Sequence, residues 1–218
     1  MPPLGITPDT IPEVERAYVE LLSVLEAHFA RTPYLLGPKP TLGDYGMMCS
    51  LFAHLGRDPV PAGIMKNHSP STFRWTERMN VPHDDISDMP YYTPSKELPE
   101  TLSGIFKYIA DYFLPELEMN VETLNAMPAG ERGSIASIHP QMSVLGFGKF
   151  RHGEVDISCA VRPMRFYMLQ RVTDYFAQMS TEDQKRAQDY LSQTGLASLL
   201  TLTATHRIKR ENFQEVWA

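Results

Sequence analysis

Cysteine is scarce in this chain, with only Cys49 and Cys159 among 218 residues. Two thiols so far apart in the sequence form neither a disulfide framework nor a four-ligand zinc site, so we expect a reduced, cytoplasmic location. Long apolar runs are lacking as well, because no stretch reaches the roughly 18 apolar residues that a membrane-spanning helix needs. The first residues also lack the basic and apolar regions of a signal peptide. We therefore expect no membrane partner.

Positive charge is in the minority, with 20 Lys and Arg against 26 Asp and Glu and a formal net charge of −6. Nucleic-acid binding needs a positive face, so this balance predicts no nucleic-acid partner. The short basic run at residues 207–210 is more typical of a solvated tail than of a binding patch. With 43% hydrophobic and 21% charged residues, the composition is that of a globular protein. We expect one domain over residues 1–218.

Apolar residues recur at steps of three and four through most of the chain, which predicts a mainly α fold. The predicted helices cover about residues 14–29, 45–55, 70–79, 102–127 (bent or divided at Pro115), 164–179 and 181–194. Gly56 is placed to end the second of these helices as its C-cap. Four methionines lie on apolar helical faces, and we predict that they pack in the core instead of forming a binding surface. They are Met48, Met164, Met168 and Met179.

Residues 142–161 depart from the helical period. They mix β-branched and aromatic residues around a turn that contains Gly153, which predicts a short β-hairpin. Two strands alone are marginal in water, so the hairpin should pack on the helices or on a partner. The fold class expected is therefore a helical bundle at about residues 10–130, followed by an extension at about 131–218 that contains the hairpin and further helices.

The segment 81–100 is rich in proline and poorly periodic, which predicts a long ordered loop of the kind that often carries function. It contains a cluster of acidic and imidazole side chains: His83, Asp84, Asp85 and Asp88. Their spacing matches no EF-hand, and no second acidic cluster completes a coordination shell, so solvated charge is favoured over a cation site. We predict no metal.

A short polar pattern at residues 41–44 leads from a Pro/Gly turn into an apolar helix. Thr41 at the N-cap and an acid three residues later, Asp44, fit the capping box, in which two orphan backbone N–H groups are satisfied reciprocally. The acid also lies at the positive end of the helix dipole. A structural carboxylate is therefore favoured over a catalytic one, since a general base should face a cleft and not its own backbone.

Several runs around this pattern resemble one family. They are YLLG at 34–37, PTLGDY at 40–45, AHLGRDP at 53–59 and SPSTFRWTERM at 69–79. Together these runs resemble the all-helical C-terminal domain of the glutathione transferase superfamily, over about residues 20–80. The resemblance implies a helical bundle that forms the hydrophobic-substrate side of a site. It makes Tyr45, Met48 and Arg57 the substrate-binding candidates and leaves the catalytic residues unknown.

The same resemblance exposes a difference from the family. Glutathione transferases bind glutathione on a thioredoxin-like domain that precedes the helices and supplies the thiol-activating residue, and we find no such pattern here. One expectation is therefore a transferase-like helical half that acts with a separate thioredoxin-like domain on a small hydrophobic electrophile. Glutathione is then the co-substrate, and no other cofactor is expected. The alternative is a non-enzymatic interaction or dimerisation module, for which a homodimer is the expected assembly.

Overall fold

The computed structural model describes residues 4–37, 39–81, 100–127, 137–139 and 142–218. Within these ranges the chain is mainly helical, as predicted, and its helices are α1 (Ile11–Phe29), α2 (Leu42–Ser50), α3 (Pro59–His68), α4 (Pro70–Met79), α5 (Glu100–Tyr112), α6 (Leu114–Asn125), α7 (Pro163–Gln178) and α8 (Thr181–Gln193). A π-helix (Leu51–Leu55) continues α2, and a 3₁₀-helix (Ala197–Leu200) follows α8. The predicted acidic and imidazole cluster at residues 83–88 lies outside the described residues.

The strands of the described ranges pair in three antiparallel two-stranded ribbons. They are β1 (Ser137–His139) with β2 (Met142–Ser143), β3 (Gly146–His152) with β4 (Val155–Val161), and β5 (Ile208–Glu211) with β6 (Gln214–Trp217). The predicted hairpin is β3–β4, which is in register from Gly146 opposite Val161 to His152 opposite Val155. Gly153 in its turn has a φ of 54°, a left-handed conformation that glycine adopts without strain.

The chain forms two compact units. The central unit runs from Glu15 to Tyr108, and the terminal unit combines the residues up to Val14 with Ile109–Ala218. In the central unit the fully buried side chains include Leu22, Leu25, Met65 and Trp75. The Trp75 ring stacks on Phe29 of α1, with a centroid distance of 4.8 Å and an interplanar angle of 14°. This contact fixes α4 against α1.

Glu26 on α1 caps the start of α4 from a distance of more than forty residues in sequence. Its carboxylate accepts the Ser71 backbone N–H at 2.8 Å, the Ser71 hydroxyl at 2.8 Å and the Ser69 hydroxyl at 3.1 Å. Ser69 is the N-cap residue, as predicted, and Pro70 follows in the first turn, but the Ser69 side chain makes no capping bond of its own. A tertiary carboxylate therefore satisfies the orphan N–H groups and complements the helix dipole.

In the terminal unit the β3–β4 hairpin packs on α6, as its marginal stability requires. Gly148 makes this close approach possible, because a Cβ atom there would lie 1.9 Å from Met119 Sδ. A hydrophobic cluster of buried side chains forms a core in this unit. Its least exposed members are Leu124, Val161, Phe166 and Ile208.

Gln170 of α7 holds the β5–β6 ribbon in place. Its side-chain amide donates to Ile208 O at 2.7 Å and accepts from Ile208 N–H at 2.8 Å, which is the pattern that a neighbouring strand residue would make. Arg207, the residue before Ile208, pairs with the Asp174 carboxylate: its Nη1 lies 3.0 Å from Oδ1 and its Nη2 lies 2.5 Å from Oδ2. Strand β5 begins at Ile208, which is buried, so the run 207–210 is not a tail, while its three basic side chains are exposed to solvent as predicted.

One further prediction is confirmed and another is wrong. Gly56 is the C-cap residue that ends the helix, as predicted, although its φ of −81° is not left-handed. Glycine is required there because a Cβ atom would lie 2.6 Å from the Leu51 carbonyl oxygen. Met164 and Met168 do not pack in the core, since they are 40% and 53% exposed. The core face of α7 is formed instead by Phe166 and Leu169.

Candidate functional site at the start of helix α2

Asp44 lies at the centre of a buried polar network. Its Oδ2 accepts the Thr41 backbone N–H at 2.8 Å and the Thr41 hydroxyl at 2.8 Å, and Thr41 and Asp44 are the N-cap and N3 residues of a capping box. Its Oδ1 accepts the Leu35 backbone N–H at 2.9 Å and the Trp75 indole N–H at 3.1 Å. The residue is 0% exposed. One carboxylate thus joins α2 to the preceding turn and to α4.

The turn at residues 34–37 precedes α2, and local features direct its Leu35 N–H towards Asp44. Tyr34 and Gly37 exchange backbone hydrogen bonds of 3.1 and 3.2 Å, and Gly37 has a φ of 120°, which favours glycine. At Gly43 a Cβ atom would lie 2.8 Å from Leu35 Cδ1, so the Leu35 side chain would have to shift to make room for one. The Tyr34–Gly37 turn places the Leu35 N–H within hydrogen-bond distance of Asp44.

This geometry decides what Asp44 can do. Both carboxylate oxygens accept two hydrogen bonds each, and every donor is a protein group. A general base needs an oxygen within reach of a substrate proton. Asp44 is buried and both of its oxygens already accept hydrogen bonds from the protein, so its geometry is that of a scaffold group.

The opposite side of α2 is exposed and uncharged. Leu42 is 86% exposed and Tyr45 is 48% exposed, and Gly46 and Cys49 are exposed beside them. We call these four residues the α2 outward face. A Cβ atom added at Gly46 would meet nothing within 4 Å. The Cys49 thiol donates to Tyr45 O at 3.5 Å, an ordinary helical contact.

The three substrate-binding candidates occupy two places in the central unit. Tyr45 and Met48 lie one turn apart on α2, and Met48 is partly buried while Tyr45 is exposed. Arg57 follows the π-helix, where its guanidinium lies 4.1 Å from the Phe52 ring centroid and 3.4 Å from Glu77 Oε1 on α4. Both side chains of that ion pair are 48% exposed, so the pair contributes little to stability. The geometry links Tyr45 with Met48 more directly than with Arg57.

His28, which the sequence did not single out, is a fully buried imidazole near the same turn. Its Nε2 lies 3.4 Å from Tyr34 O, and its Nδ1 lies 3.0 Å from Thr101 Oγ1. A carbonyl oxygen only accepts, so Nε2 carries the proton and Nδ1 accepts from the Thr101 hydroxyl. Burial lowers the pKa of His28 below its usual value, which favours the neutral ring. The feature of the sequence that could have identified His28 is its position on the buried face of α1.

In the part of the chain that the structure describes, no three His, Cys, Asp or Glu side chains are grouped so that they could hold a metal ion. None of the described helices is both long enough and apolar enough to cross a membrane. Cys159 is a buried thiol whose pKa is raised, first by burial and then by the nearby Glu116 carboxylate, so it favours the unreactive protonated form.

Comparison with known proteins adds no assignment. No family model, no curated protein and no solved structure matches this chain.

Proposed function

We propose that this chain is a glutathione transferase-like helical half whose α2 outward face receives a small hydrophobic electrophile. The sequence runs at 34–45, 53–59 and 69–79 suggest this class of protein. The observation that carries the proposal is the Asp44 network, because it holds a helix rigidly from its buried side and leaves the other side exposed and uncharged. A binding surface on a rigid element is better defined than one on a loop.

The proposal assigns roles to two side chains. Tyr45, on the α2 outward face, offers an aromatic ring and a hydroxyl. Met48 is a partly buried residue one turn further along α2, beside that face, and offers a flexible thioether that adapts to ligands of different shape. In the reaction, the sulfur of a glutathione thiolate forms a bond to the electrophilic carbon, and the leaving group departs with the bonding electron pair. This chain supplies the surface that binds the electrophile, and a separate thioredoxin-like domain supplies the group that activates the thiol.

The experiment separates ligand binding from catalysis. Calorimetry measures the binding of glutathione and of an apolar electrophile, a chlorodinitrobenzene, to the whole chain, and absorbance follows the thioether product. We expect the electrophile to bind, and Tyr45→Ala and Met48→Ala each to weaken that binding by about 5- to 20-fold through lost apolar contact. Val60→Ala is the matched control, because Val60 is an apolar side chain on α3 that is 71% exposed and lies outside the α2 outward face.

Each result has a defined meaning. Equal electrophile affinity in all three variants and the parent chain would refute the assignment of the α2 outward face. Millimolar or tighter glutathione binding with turnover would show that the chain is itself a transferase and would remove the need for a second domain. Absence of glutathione binding and turnover, with electrophile binding retained, is the expected outcome for a half that lacks the thiol-activating group.

A non-enzymatic interaction module is the second candidate. It is favoured by a different observation, the row of exposed apolar side chains on α7 that includes Met164 and Met168. Apolar side chains in such a row are a common feature of protein interfaces. This candidate predicts assembly without conjugation, so the assays above and a measurement of molecular mass distinguish the two.

A further inference from the structure

The guanidinium of Arg78, near the end of α4, has no partner in the part of the chain that the structure describes. The residue is partly buried, and its Nε is enclosed by protein without a hydrogen-bond partner. Its two terminal nitrogens are not enclosed, and among the described residues they form neither a hydrogen bond nor an ion pair. Few buried polar groups lack a partner in folded proteins, so Arg78 requires an explanation.

The ring of Tyr34 holds the Arg78 guanidinium in place. Arg78 Cζ lies 5.4 Å from the centroid of that ring, within the range of cation–π attraction. Tyr34 is 1% exposed, so the ring is part of the core and gives the guanidinium a fixed support. A ligand that binds the terminal nitrogens of Arg78 therefore meets a side chain that is already ordered, and the loss of side-chain entropy on binding is small.

Two structural roles leave this arrangement unexplained. Asp44 is the buried carboxylate beside the Tyr34 turn, but its oxygens accept their four hydrogen bonds from other donors. The position of Arg78 in the last turn of α4 complements the helix dipole. An exposed lysine would do the same, so the dipole accounts neither for the enclosed Nε nor for the contact with Tyr34.

A second cation without a counter-charge lies one turn earlier on α4. Arg74 precedes Arg78 by four residues, so the two side chains leave the helix about 40° apart. Arg74 is exposed and forms no ion pair with any residue that the structure describes. Like charges at this spacing repel each other and destabilise a helix. An anion bound beside both arginines would remove that repulsion.

We propose that Arg78 and Arg74 bind the phosphate group of a small anionic ligand. The planar guanidinium of arginine matches two oxygens of one oxyanion, so the terminal nitrogens of Arg78 supply the directional hydrogen bonds. Exposed Arg74 supplies a second positive charge. A phosphate group carries about 1.5 to 2 negative charges at neutral pH and balances two arginines, whereas a carboxylate carries one.

The phosphate site does not rest on the transferase proposal. It lies on α4 and uses neither Tyr45 nor Met48 of α2. Its ligand is an anion, whereas the α2 outward face is proposed to bind an apolar electrophile. Phosphate titration and electrophile titration can therefore fail separately.

Calorimetric titration of the whole chain with inorganic phosphate, near neutral pH and at constant ionic strength, tests the site. We expect a dissociation constant of about 0.1 to 10 mM. Arg78→Gln should raise it at least 10-fold through the loss of charge-assisted hydrogen bonds. Arg74→Gln should raise it by about 2- to 5-fold, because an exposed charge contributes less.

Arg171→Gln is the matched control. Arg171 also lies over a tyrosine ring, with its Cζ 5.9 Å from the Tyr167 centroid, but it is exposed and donates to the Tyr167 hydroxyl at 3.4 Å. Its replacement should leave the phosphate affinity unchanged. Arg78→Lys keeps the charge and loses the planar group, so it should raise the dissociation constant by about 3- to 10-fold and separates directional binding from general attraction.

Two further ligands identify the chemistry. Acetate should bind at least about 5-fold more weakly than phosphate, because it carries one charge. Phenyl phosphate that binds at least as tightly as inorganic phosphate supports an organic phosphate as the ligand, and weaker binding supports the free ion. The proposal is overturned by the absence of phosphate binding up to about 20 mM, by equal affinities for phosphate and acetate, or by equal effects of Arg78→Gln and Arg171→Gln.

Discussion

Replacing Asp44 tests the network on which the start of α2 depends. Asp44→Ala removes the acceptor for four donors and leaves two of them, the Leu35 N–H and the Trp75 indole N–H, in buried surroundings. A buried donor without a partner costs about 1 to 3 kcal/mol, and loss of a helix cap costs about 0.5 to 2 kcal/mol. We therefore expect a loss of roughly 3 to 7 kcal/mol, a large part of the stability of an ordinary domain.

Asp44→Asn is the more informative variant because it keeps the shape of the side chain. Its amide oxygen can still accept from Leu35 and Trp75, but its NH₂ group faces the Thr41 N–H, which is itself a donor. We expect a loss of about 1.5 to 3 kcal/mol, from one charge-assisted hydrogen bond and one misplaced donor. Trp75→Phe in the same series removes the indole N–H together with one of the two fused rings, and leaves a smaller aromatic ring next to Phe29.

Urea unfolding measures these losses. For the Asp44 variants it is followed by tryptophan fluorescence in a Trp217→Phe background, where Trp75 is the remaining indole and the signal reports the central unit. A double-mutant cycle between Asp44→Asn and Trp75→Phe is followed by far-ultraviolet circular dichroism, because Trp75→Phe removes that indole, and we expect it to give a coupling of about 0.5 to 3 kcal/mol. Asp44→Asn with parental stability and lost electrophile binding would refute the scaffold role and point to a chemical one.

Three further changes test other contacts. Glu26→Gln should lower the free energy of unfolding by about 1 to 2 kcal/mol, because the start of α4 loses the carboxylate that caps it. The control Glu20→Gln, at an exposed ion pair, should change the free energy of unfolding by less than about 0.5 kcal/mol in the same urea titration. Gly148→Ala should cost about 1 to 3 kcal/mol by overpacking against α6, while Gly46→Ala in open helical surroundings should be neutral or stabilising by up to about 1 kcal/mol in calorimetric melting. Burial lowers the pKa of His28, so the unfolded chain takes up the proton at a higher pH than the folded chain. The free energy of unfolding should therefore fall as pH drops below about 6.5, by at most about 1.4 kcal/mol per pH unit. His28→Gln should flatten that slope, and an unchanged slope would contradict the assignment of His28 as its source.

The local features of the fold could be predicted from the sequence because their causes are local. The helical period on α1, the boundary at Pro115 and the hairpin around Gly153 each depend on residues within one or two turns. The role of Asp44 was predictable only in part. Thr41, three residues before Asp44, indicates a helix cap. The hydrogen bonds of Asp44 to Leu35 and Trp75 depend on tertiary packing, and they raise the loss of stability that we expect when Asp44 is replaced.

The features that were missed have non-local or ambiguous causes. Helix α3 was not predicted because Pro59 and Pro61 look like helix breakers, yet both lie in its first turn, where a missing N–H is tolerated. The ribbon β5–β6 was not predicted because its turn uses Asn212 and Phe213 at positive φ in place of glycine.

The exposed methionines of α7 show a further limit of periodicity. Helix α7 has apolar residues on two faces, and spacing alone does not show which of them is buried. Phe166 and Leu169 face the core, whereas Met164 and Met168 are exposed.

The Gln170 side chain protects an edge of the β5–β6 ribbon against aggregation between copies of this chain. A two-stranded ribbon presents unpaired backbone groups at its edges, and such edges recruit strands from other molecules. By bonding both the N–H and the C=O of Ile208, Gln170 removes one such docking point with a side chain instead of a third strand. Substituting it with leucine would keep the volume and reopen the edge, so slow strand-mediated aggregation, and not unfolding alone, is the defect to expect there.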